Sequence, residues 1–245
     1  MKQVYIGPIK GHATSRLTKS LIKFPTIALA MVASLLFFVP LFMPKIAKAP
    51  SDICAVALVD NGMGTGSAIY IGNNMMLTAA HVVDGMFVND FCKVTFENPN
   101  QTDGPKISAL AQVVALGDRR TGDENDYAML QVVSLDVSKY VDAYALGVSK
   151  NAKINDQIRV VGYPNGFFMS TDGTINSIKL GENAELFTVS ANAWPGNSGG
   201  ALLDKSGKVI GIVTLGGVDI TTIGQTGVVK IDYIRKQLSQ SGIQL

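Results

Sequence analysis

One serine of the sequence, Ser198, is surrounded by glycines within an otherwise apolar segment. The run is Pro-Gly-Asn-Ser-Gly-Gly, from Pro195 to Gly200. A serine hydroxyl becomes a useful nucleophile when a base takes its proton and N–H groups stabilise the oxyanion that forms. Glycines allow a tight turn that exposes the hydroxyl and directs backbone N–H groups at a substrate carbonyl. The run therefore indicates a nucleophilic loop, with a glycine-rich hairpin turn as the alternative.

A nucleophilic serine needs a general base, and the chain contains two histidines. His12 lies in a basic N-terminal segment and is interpreted as a solvated residue. His81 follows the apolar run Met-Leu-Thr-Ala-Ala at the end of a predicted strand. A histidine in such a place is either a core residue or a base, and in both cases the imidazole needs a partner that orients it.

Asp126 is the predicted partner of His81. It opens the apolar segment Asp-Tyr-Ala-Met-Leu, which suits a partly buried carboxylate held by hydrogen bonds. A carboxylate on Nδ1 would fix the tautomer of the imidazole and stabilise the imidazolium formed during catalysis. Asp118, Asp123 and Glu124 lie in the hydrophilic run just before it and are expected in an exposed loop.

Three segments resemble the signature segments of the chymotrypsin-fold (trypsin-like) serine proteases. They are Thr-Ala-Ala-His ending at His81, Asp-Tyr-Ala-Met-Leu beginning at Asp126, and Gly-Asn-Ser-Gly-Gly around Ser198. The order His, Asp, Ser is that of chymotrypsin, whereas subtilisin and the α/β-hydrolases use other orders. Within this superfamily the chain is most similar to bacterial HtrA/DegP-type proteases, because of the asparagine before the serine, Gly-Tyr-Pro-Asn-Gly at 162–166 and Asp-Gly-Thr-Ile at 172–175.

The resemblance covers roughly residues 53–238 and implies two six-stranded antiparallel β-barrels with a short C-terminal helix. The barrels are expected at about 53–135 and 148–230, with the active site in the cleft between them. Short apolar runs between Gly, Asn and Asp residues indicate an all-β domain independently. The helix is expected to begin with Asp232 as its N-cap and to stop at Gly242. No PDZ domain, which usually follows an HtrA-type protease, is recognised.

The resemblance also implies the roles of the site residues. Ser198 attacks the scissile carbonyl, His81 takes the proton and returns it to the leaving amine, and Asp126 orients His81. The N–H groups of Gly196 and Ser198 match the positions of the oxyanion hole. Neither a cofactor nor a metal is expected, because two histidines and two cysteines at these spacings form no ligand pattern.

Asn192 stands six residues before the serine, where proteases that cut after Arg or Lys have an aspartate. A neutral side chain there does not stabilise a buried guanidinium, so small or medium apolar residues are the expected specificity. The resemblance places the Thr214 hydroxyl near the catalytic aspartate. It makes Thr214, Leu215 and Gly216 the strand that pairs with the substrate backbone.

Cys54 and Cys92 are the two cysteines of the chain. A disulfide between them is a possible pairing in an oxidising compartment. Two free buried thiols are an equally good interpretation, because two cysteines in a sequence fix no geometry.

Residues 26–44 are predicted to form a transmembrane signal-anchor helix that precedes the barrels. The stretch Thr26–Met43 carries no charge and would make about 27 Å of helix, just enough to cross the hydrocarbon core of a bilayer. Five lysines and arginines precede it and two follow before Asp52. This asymmetry predicts that residues 1–25 form a basic cytoplasmic tail.

Residues 45–52 would then be a linker and residues 53–245 a protease domain outside the cytoplasm, in the periplasm of a Gram-negative host. The alternative is a cleaved signal peptide with Ala47-Lys48-Ala49 as its small-residue site. The long basic segment, the long apolar stretch and Pro50 directly after the cut favour an uncleaved anchor.

The formal net charge of +2 comes from the basic tail. The remaining residues contain no dense basic patch, so polypeptide substrates and the bilayer are the expected partners and nucleic acid is not. The sequence predicts a membrane-anchored serine endopeptidase in extracytoplasmic protein processing or quality control. Two alternatives are an inactive, protease-shaped binding module and a viral-type membrane-tethered processing protease.

Overall fold

The computed structural model describes residues 54–101, 103–104, 106–180, 182–216 and 225–245, all of which belong to one compact unit. The predicted basic tail, the predicted anchor and most of the predicted linker lie outside these residues. None of the helices in the described ranges combines the length and the hydrophobicity that a membrane span needs.

The first barrel is a closed antiparallel sheet of six strands in the order β1-β2-β3-β6-β5-β4. Its strands are β1 Val56–Asp60, β2 Thr65–Gly72, β3 Met75–Thr78, β4 Phe91–Phe96, β5 Ile107–Leu116 and β6 Ala128–Val132. The crossover places β3 beside β6, although residues 79–127, which include β4 and β5, lie between them in the chain. This pairing brings the end of β3 next to the start of β6.

The second barrel is also closed, with the strand order β10-β11-β12-β9-β8-β7. Its strands are β7 Gln157–Gly162, β8 Met169–Ser177, β9 Leu186–Val189, β10 Ala201–Asp204, β11 Val209–Gly216 and β12 Thr226–Lys230. The helix α1, Ile231–Gln240, follows β12 directly. The predicted pair of six-stranded barrels with a C-terminal helix is confirmed.

The start of α1 differs from the expectation, whereas its end agrees with it. Lys230 is the N-cap, and Asp232 lies in the first helical turn, where its carboxylate accepts the N–H of Lys150 at 2.9 Å. Gly242 has a φ of +81°, and the next residue, Ile243, donates its N–H to the carbonyl of Leu238 at 2.9 Å. This is a Schellman termination, which needs a left-handed residue that glycine supplies without strain.

The alternation of side chains along each strand produces three apolar layers. On β2, Ala68 and Tyr70 point into the first barrel, while Ile69 between them packs against residues of the second barrel. On β7, Val160 points into the second barrel and Val161 packs in the layer between the barrels. Because a strand presents alternate residues to opposite faces, one strand can serve both layers. The middle layer fixes the two barrels against each other.

The structure contradicts the possible disulfide between Cys54 and Cys92, which are both free thiols. β1 and β4 are antiparallel neighbours, and the N–H of Cys54 donates to the carbonyl of Glu97, five residues beyond Cys92. Five residues of extended chain span about 16 Å, whereas the Cα atoms of a disulfide lie about 4.4–6.8 Å apart. Cys92 packs inside the first barrel, and the Cys54 Sγ lies 3.6 Å from the Tyr144 hydroxyl.

Both thiols are therefore expected to be reduced in the folded chain and slow to react. Burial raises the pKa of Cys92 to about 11 and also raises the pKa of Cys54, so little thiolate forms near neutral pH. Iodoacetamide near neutral pH should modify Cys92 only after denaturation, and a reductant should leave the melting temperature unchanged. A clear fall of the melting temperature on reduction would show that the two cysteines are paired after all.

Candidate active site

His81 and Asp126 meet at the edge where β3 ends and β6 begins. His81 lies in a 3-10 turn, Ala80–Val83, just after β3, and Asp126 follows another such turn just before β6. Because Thr78 pairs with Ala128, the two residues come to the same place. The His81 Nδ1 lies 2.7 Å from the Asp126 Oδ2, and the His81 backbone N–H donates to Oδ1 at 3.0 Å. Both carboxylate oxygens therefore hold the same histidine.

The Asp126 carboxylate is buried and has a cation beside it. Asp126 is 3% exposed, whereas the imidazole is 26% exposed. The Arg119 Nε lies 3.5 Å from the Asp126 Oδ1, and the Arg119 Nη1 is held at 3.0 Å by the Asp84 Oδ2. A buried charge is costly unless it is paired, and here the guanidinium and the histidine N–H groups provide the pairing.

Of the three acidic residues before Asp126 that are expected in an exposed loop, two are exposed and one is half-buried. Asp118 and Asp123 are exposed, and Asp118 forms an ion pair with Arg120 at 2.8 Å. Glu124 is half-buried, and its Oε2 accepts the Asn183 side-chain N–H at 2.5 Å. Glu124 thus connects this loop to the second barrel. The hydrophilic residues that surround it along the chain gave no sign of this contact.

The serine loop of the second barrel is docked on β2 of the first barrel. Ser67 donates its N–H to the carbonyl of Ser198 at 2.8 Å, and its own carbonyl accepts the Thr78 hydroxyl at 2.6 Å. A Cβ added to Gly66 would lie 3.2 Å from the Ser198 carbonyl oxygen and 2.6 Å from the methyl carbons of Val82, the residue after the histidine. The loop carrying the serine and the turn carrying the histidine therefore face the same glycine of β2.

The Ser198 side chain is half-buried, and its hydroxyl makes no hydrogen bond to any residue that the structure describes. In the absence of substrate, contacts between a nucleophile and its base are often long and tighten in the complex. His81 thus hydrogen-bonds directly to Asp126, whereas the serine loop is held beside the first barrel by a backbone hydrogen bond between Ser67 and Ser198.

The peptide bond between Pro195 and Gly196 has a fixed orientation. The Pro195 carbonyl accepts the N–H of Asn165 at 2.9 Å. Because a trans peptide directs its C=O and N–H to opposite sides, the Gly196 N–H points away from Asn165. Neither this N–H nor that of Ser198 meets an acceptor among the described residues. Two free N–H donors on one tight loop are what an oxyanion hole requires.

Two glycines of this loop are required by space as well as by backbone angle. Gly196 has a φ of +100°, and a Cβ there would lie 2.5 Å from the Tyr163 carbonyl oxygen. Gly199 has a φ of +81°, and a Cβ there would overlap the carbonyl oxygen of Ser67 and the hydroxyl of Thr78. Only glycine lets the loop approach the turn after β7 at position 196 and the first barrel at position 199 so closely.

The variant Gly199→Ala is expected to lower the free energy of unfolding by at least about 3 kcal/mol, because its methyl group overlaps the backbone of β2. Gly207→Ala is the matched control, since Gly207 has a φ of +77° with nothing within 4 Å of the added Cβ. It should lose only about 1 kcal/mol of stability from the left-handed conformation. Urea unfolding of both variants measures the difference, and equal losses would contradict the close docking of the loop.

The four residues predicted to bind the substrate lie in two segments of the second barrel. Asn192 is exposed on the segment after β9. Thr214 is buried, and its hydroxyl has no hydrogen-bond partner among the described residues, so its place near Asp126 stays a prediction. Leu215 and Gly216 belong to β11, where their backbones pair with β12. Their position as a substrate strand remains a prediction.

Sequence reasoning missed two residues that hold the segment before Asn192. The Thr226 hydroxyl donates to the Ala191 carbonyl at 2.6 Å, and a Cβ on Gly173 would lie 2.6 Å from the Ala191 backbone nitrogen. Residues 217–224, which precede β12, lie outside the described residues. In the part of the chain that is described, no group of three His, Cys, Asp or Glu residues is placed to hold a metal.

Two closed six-stranded barrels, with a His–Asp pair on the first and a glycine-flanked serine on the second, define a chymotrypsin-fold serine protease. Comparison with protein families agrees, since residues 64–212 match the family described as the trypsin-like peptidase domain. The chain belongs to this family and is a serine endopeptidase.

Solved structures similar to this chain include an HtrA-type protease. AlgW, an HtrA-type protease solved with a tripeptide, is 27% identical with a TM-score of 0.56, over 80% of this chain and 60% of that chain. The Rv3671c protease of M. tuberculosis in its inactive form is 24% identical with a TM-score of 0.56, over 77% of this chain and 89% of that chain. Deg5 is 20% identical with a TM-score of 0.56, over 84% of this chain and 92% of that chain. The last two comparisons show the fold alone.

Proposed function

We propose that this HtrA-like protease hydrolyses peptide bonds through Ser198, His81 and Asp126. The observation that carries the proposal is the double hydrogen bond from His81 to Asp126, at 2.7 and 3.0 Å. This contact puts a proton on Nδ1 and leaves Nε2 free to act as the base. The carboxylate also stabilises the imidazolium that forms when the proton arrives.

In the acylation step, the Ser198 Oγ forms a bond to the scissile carbonyl carbon while His81 takes the hydroxyl proton. The negative charge moves to the carbonyl oxygen, where the free N–H groups of Gly196 and Ser198 stabilise it. The C–N bond then breaks, and His81 gives its proton to the departing amine. In deacylation, water takes the place of the serine as the nucleophile and attacks the ester, which releases the acid product and restores Ser198.

The preferred substrates have a small or medium apolar residue before the cut. Asn192 is the residue that supports this preference, because it is neutral and exposed on the segment leading to the serine loop. A guanidinium or ammonium group at this position would meet the neutral Asn192 and no carboxylate that compensates for its lost hydration.

The test is digestion of an unfolded protein by the full chain in detergent, with every new terminus identified by mass spectrometry. Cuts after small or apolar residues are expected, and Asn192→Asp should add cuts after Lys and Arg. Predominant cleavage after Lys or Arg by the unsubstituted chain would refute the proposed specificity. Absence of any cleavage would refute the activity.

We further propose that residues 26–44 anchor the enzyme in a membrane and that residues 53–245 act outside the cytoplasm in protein processing or quality control. The uncharged stretch and the excess of basic residues before it support this arrangement. Protease added to intact spheroplasts should digest the domain, and the membrane-bound form should have the full mass. Protection of the domain would reverse the orientation, and a mature chain beginning near Pro50 would replace the anchor by a signal peptide.

A further inference from the structure

Ser67, on β2 of the first barrel, is fully buried at the contact between the barrels. Its hydroxyl accepts the N–H of Tyr163 at 2.8 Å and donates to the carbonyl of Gly196 at 2.7 Å. Its backbone N–H donates to the carbonyl of Ser198 at 2.8 Å. One residue of the first barrel therefore holds three backbone groups of the second, two of them in the serine loop.

These bonds fix the peptides on both sides of Gly196. The peptide that follows Gly196 is held directly, because its carbonyl accepts the Ser67 hydroxyl. The peptide that precedes it is held by Asn165, which lies in the turn beginning at Tyr163, and Ser67 binds the N–H of Tyr163. Gly196 is a glycine with positive φ, so without these bonds its N–H could rotate away from the substrate.

We propose that Ser67 is a positioning residue of the oxyanion hole, supplied by the barrel that does not carry the nucleophile. The inference rests on the proposed function, since it assigns Ser67 to the same reaction. Ser67 acts through Gly196 by keeping its N–H directed at the carbonyl oxygen where charge develops. Preorganised donors stabilise the transition state more than the bound substrate, so loss of the hydroxyl should lower kcat and leave KM nearly unchanged.

The surroundings of Ser67 allow a small hydroxyl and little else. A Cβ added to Gly162 would lie 3.0 Å from the Ser67 Oγ, so the neighbouring backbone is already close. The Thr78 hydroxyl donates to the Ser67 carbonyl at 2.6 Å and keeps β2 in place. Alanine fits this space, but it leaves the Tyr163 N–H and the Gly196 carbonyl without partners.

The experiment compares Ser67→Ala with the full unsubstituted chain in three measurements. The first is kcat and KM for a peptide substrate, and the second is the affinity for a peptide aldehyde. The third is the affinity for the uncleaved peptide, which is measured after Ser198→Ala has been added to both chains. The aldehyde forms a tetrahedral adduct whose oxygen occupies the oxyanion hole, so it reports on that site. Ser67→Ala should lower kcat and aldehyde affinity together by about 10- to 100-fold, with KM and peptide affinity within about threefold.

Ser149→Ala is the matched control. Ser149 is also buried, and its hydroxyl accepts one backbone N–H, from Asp232 at 3.1 Å, at the start of α1. This variant removes a comparable hydrogen bond but should leave kcat and aldehyde affinity unchanged. If Ser67→Ala does not fold, Ser67→Cys replaces it, because the thiol is only slightly larger than the hydroxyl and is a weak donor.

An unchanged kcat in the folded Ser67 variant would overturn the inference, and so would a loss of kcat with full aldehyde affinity. Weaker peptide binding with normal kcat would instead make Ser67 an ordinary part of the substrate cleft and would also overturn it. An unsubstituted chain that neither cuts the peptide nor binds the aldehyde would refute the proposed function itself. An active chain with an unaffected Ser67 variant refutes this inference alone.

Discussion

Ser198→Ala is expected to fold normally and to lose peptide-bond cleavage by at least about 10⁴-fold. The hydroxyl makes no hydrogen bond to the described residues, so its removal leaves no buried polar group without a partner. The loop is held by backbone bonds that the substitution does not touch, such as the 2.8 Å bond from Ser67 to the Ser198 carbonyl. The measurement is the rate of peptide hydrolysis, with the melting temperature as the check on folding.

The effect of Ser198→Ala should not add to that of His81→Ala, because the nucleophile and its base act as a unit. The double variant should therefore be about as slow as either single one. Ser206→Ala is a suitable control, since Ser206 is an exposed serine in the turn after β10 whose hydroxyl bonds, among the described residues, to Asp204 alone. Additive losses, or a Ser198→Ala chain that still cuts, would mean that another group is the nucleophile.

Asp126→Asn should lower kcat by about 10⁴-fold while the domain stays folded. An amide in place of the carboxylate can present its NH₂ group to the Nδ1 of His81, which favours the wrong tautomer and removes the charge that stabilises the imidazolium. The amide also gives up the charge beside Arg119, so a small loss of stability is expected in addition. Steady-state kinetics on a peptide substrate measures the change.

Asp118→Asn is the matched control for this prediction. Asp118 lies eight positions earlier in the same loop, is exposed, and pairs only with its neighbour Arg120 among the contacts observed. Its substitution should leave the activity within about twofold, as expected for an exposed ion pair. Normal turnover in Asp126→Asn together with a slow Asp118→Asn would move the role of the acid to Asp118.

The fold and the family could be predicted from the sequence because both depend on local patterns. Short apolar runs between turn residues indicate strands, and three spaced motifs in one order indicate the trypsin-like family. The end of α1 was predictable for the same reason, since glycine at the termination position is a local signal. Its start was not, because Asp232 binds the Lys150 N–H across the chain instead of capping its own helix.

The contacts that hold the site were beyond sequence reasoning because they join distant parts of the chain. Ser67 and Gly196 are 129 positions apart, and within its own strand Ser67 is one small residue among apolar ones. Arg119 stands in a charged run that is typical of a solvated loop, although its guanidinium reaches the buried Asp126. The sequence left the state of the two cysteines open for a related reason, since only the register of β1 and β4 shows that they are too far apart to form a disulfide.

The most direct test of the account is labelling of the full chain by a fluorophosphonate probe, with the modified residue identified by mass spectrometry. The reagent reacts with a serine that a base activates next to an oxyanion hole, and ordinary serines are far less reactive. We predict one adduct, on Ser198, which forms much more slowly in His81→Ala and is absent in Ser198→Ala. A folded chain whose Ser198 stays unmodified, or an adduct on another serine, would contradict the assignment of Ser198 as the nucleophile.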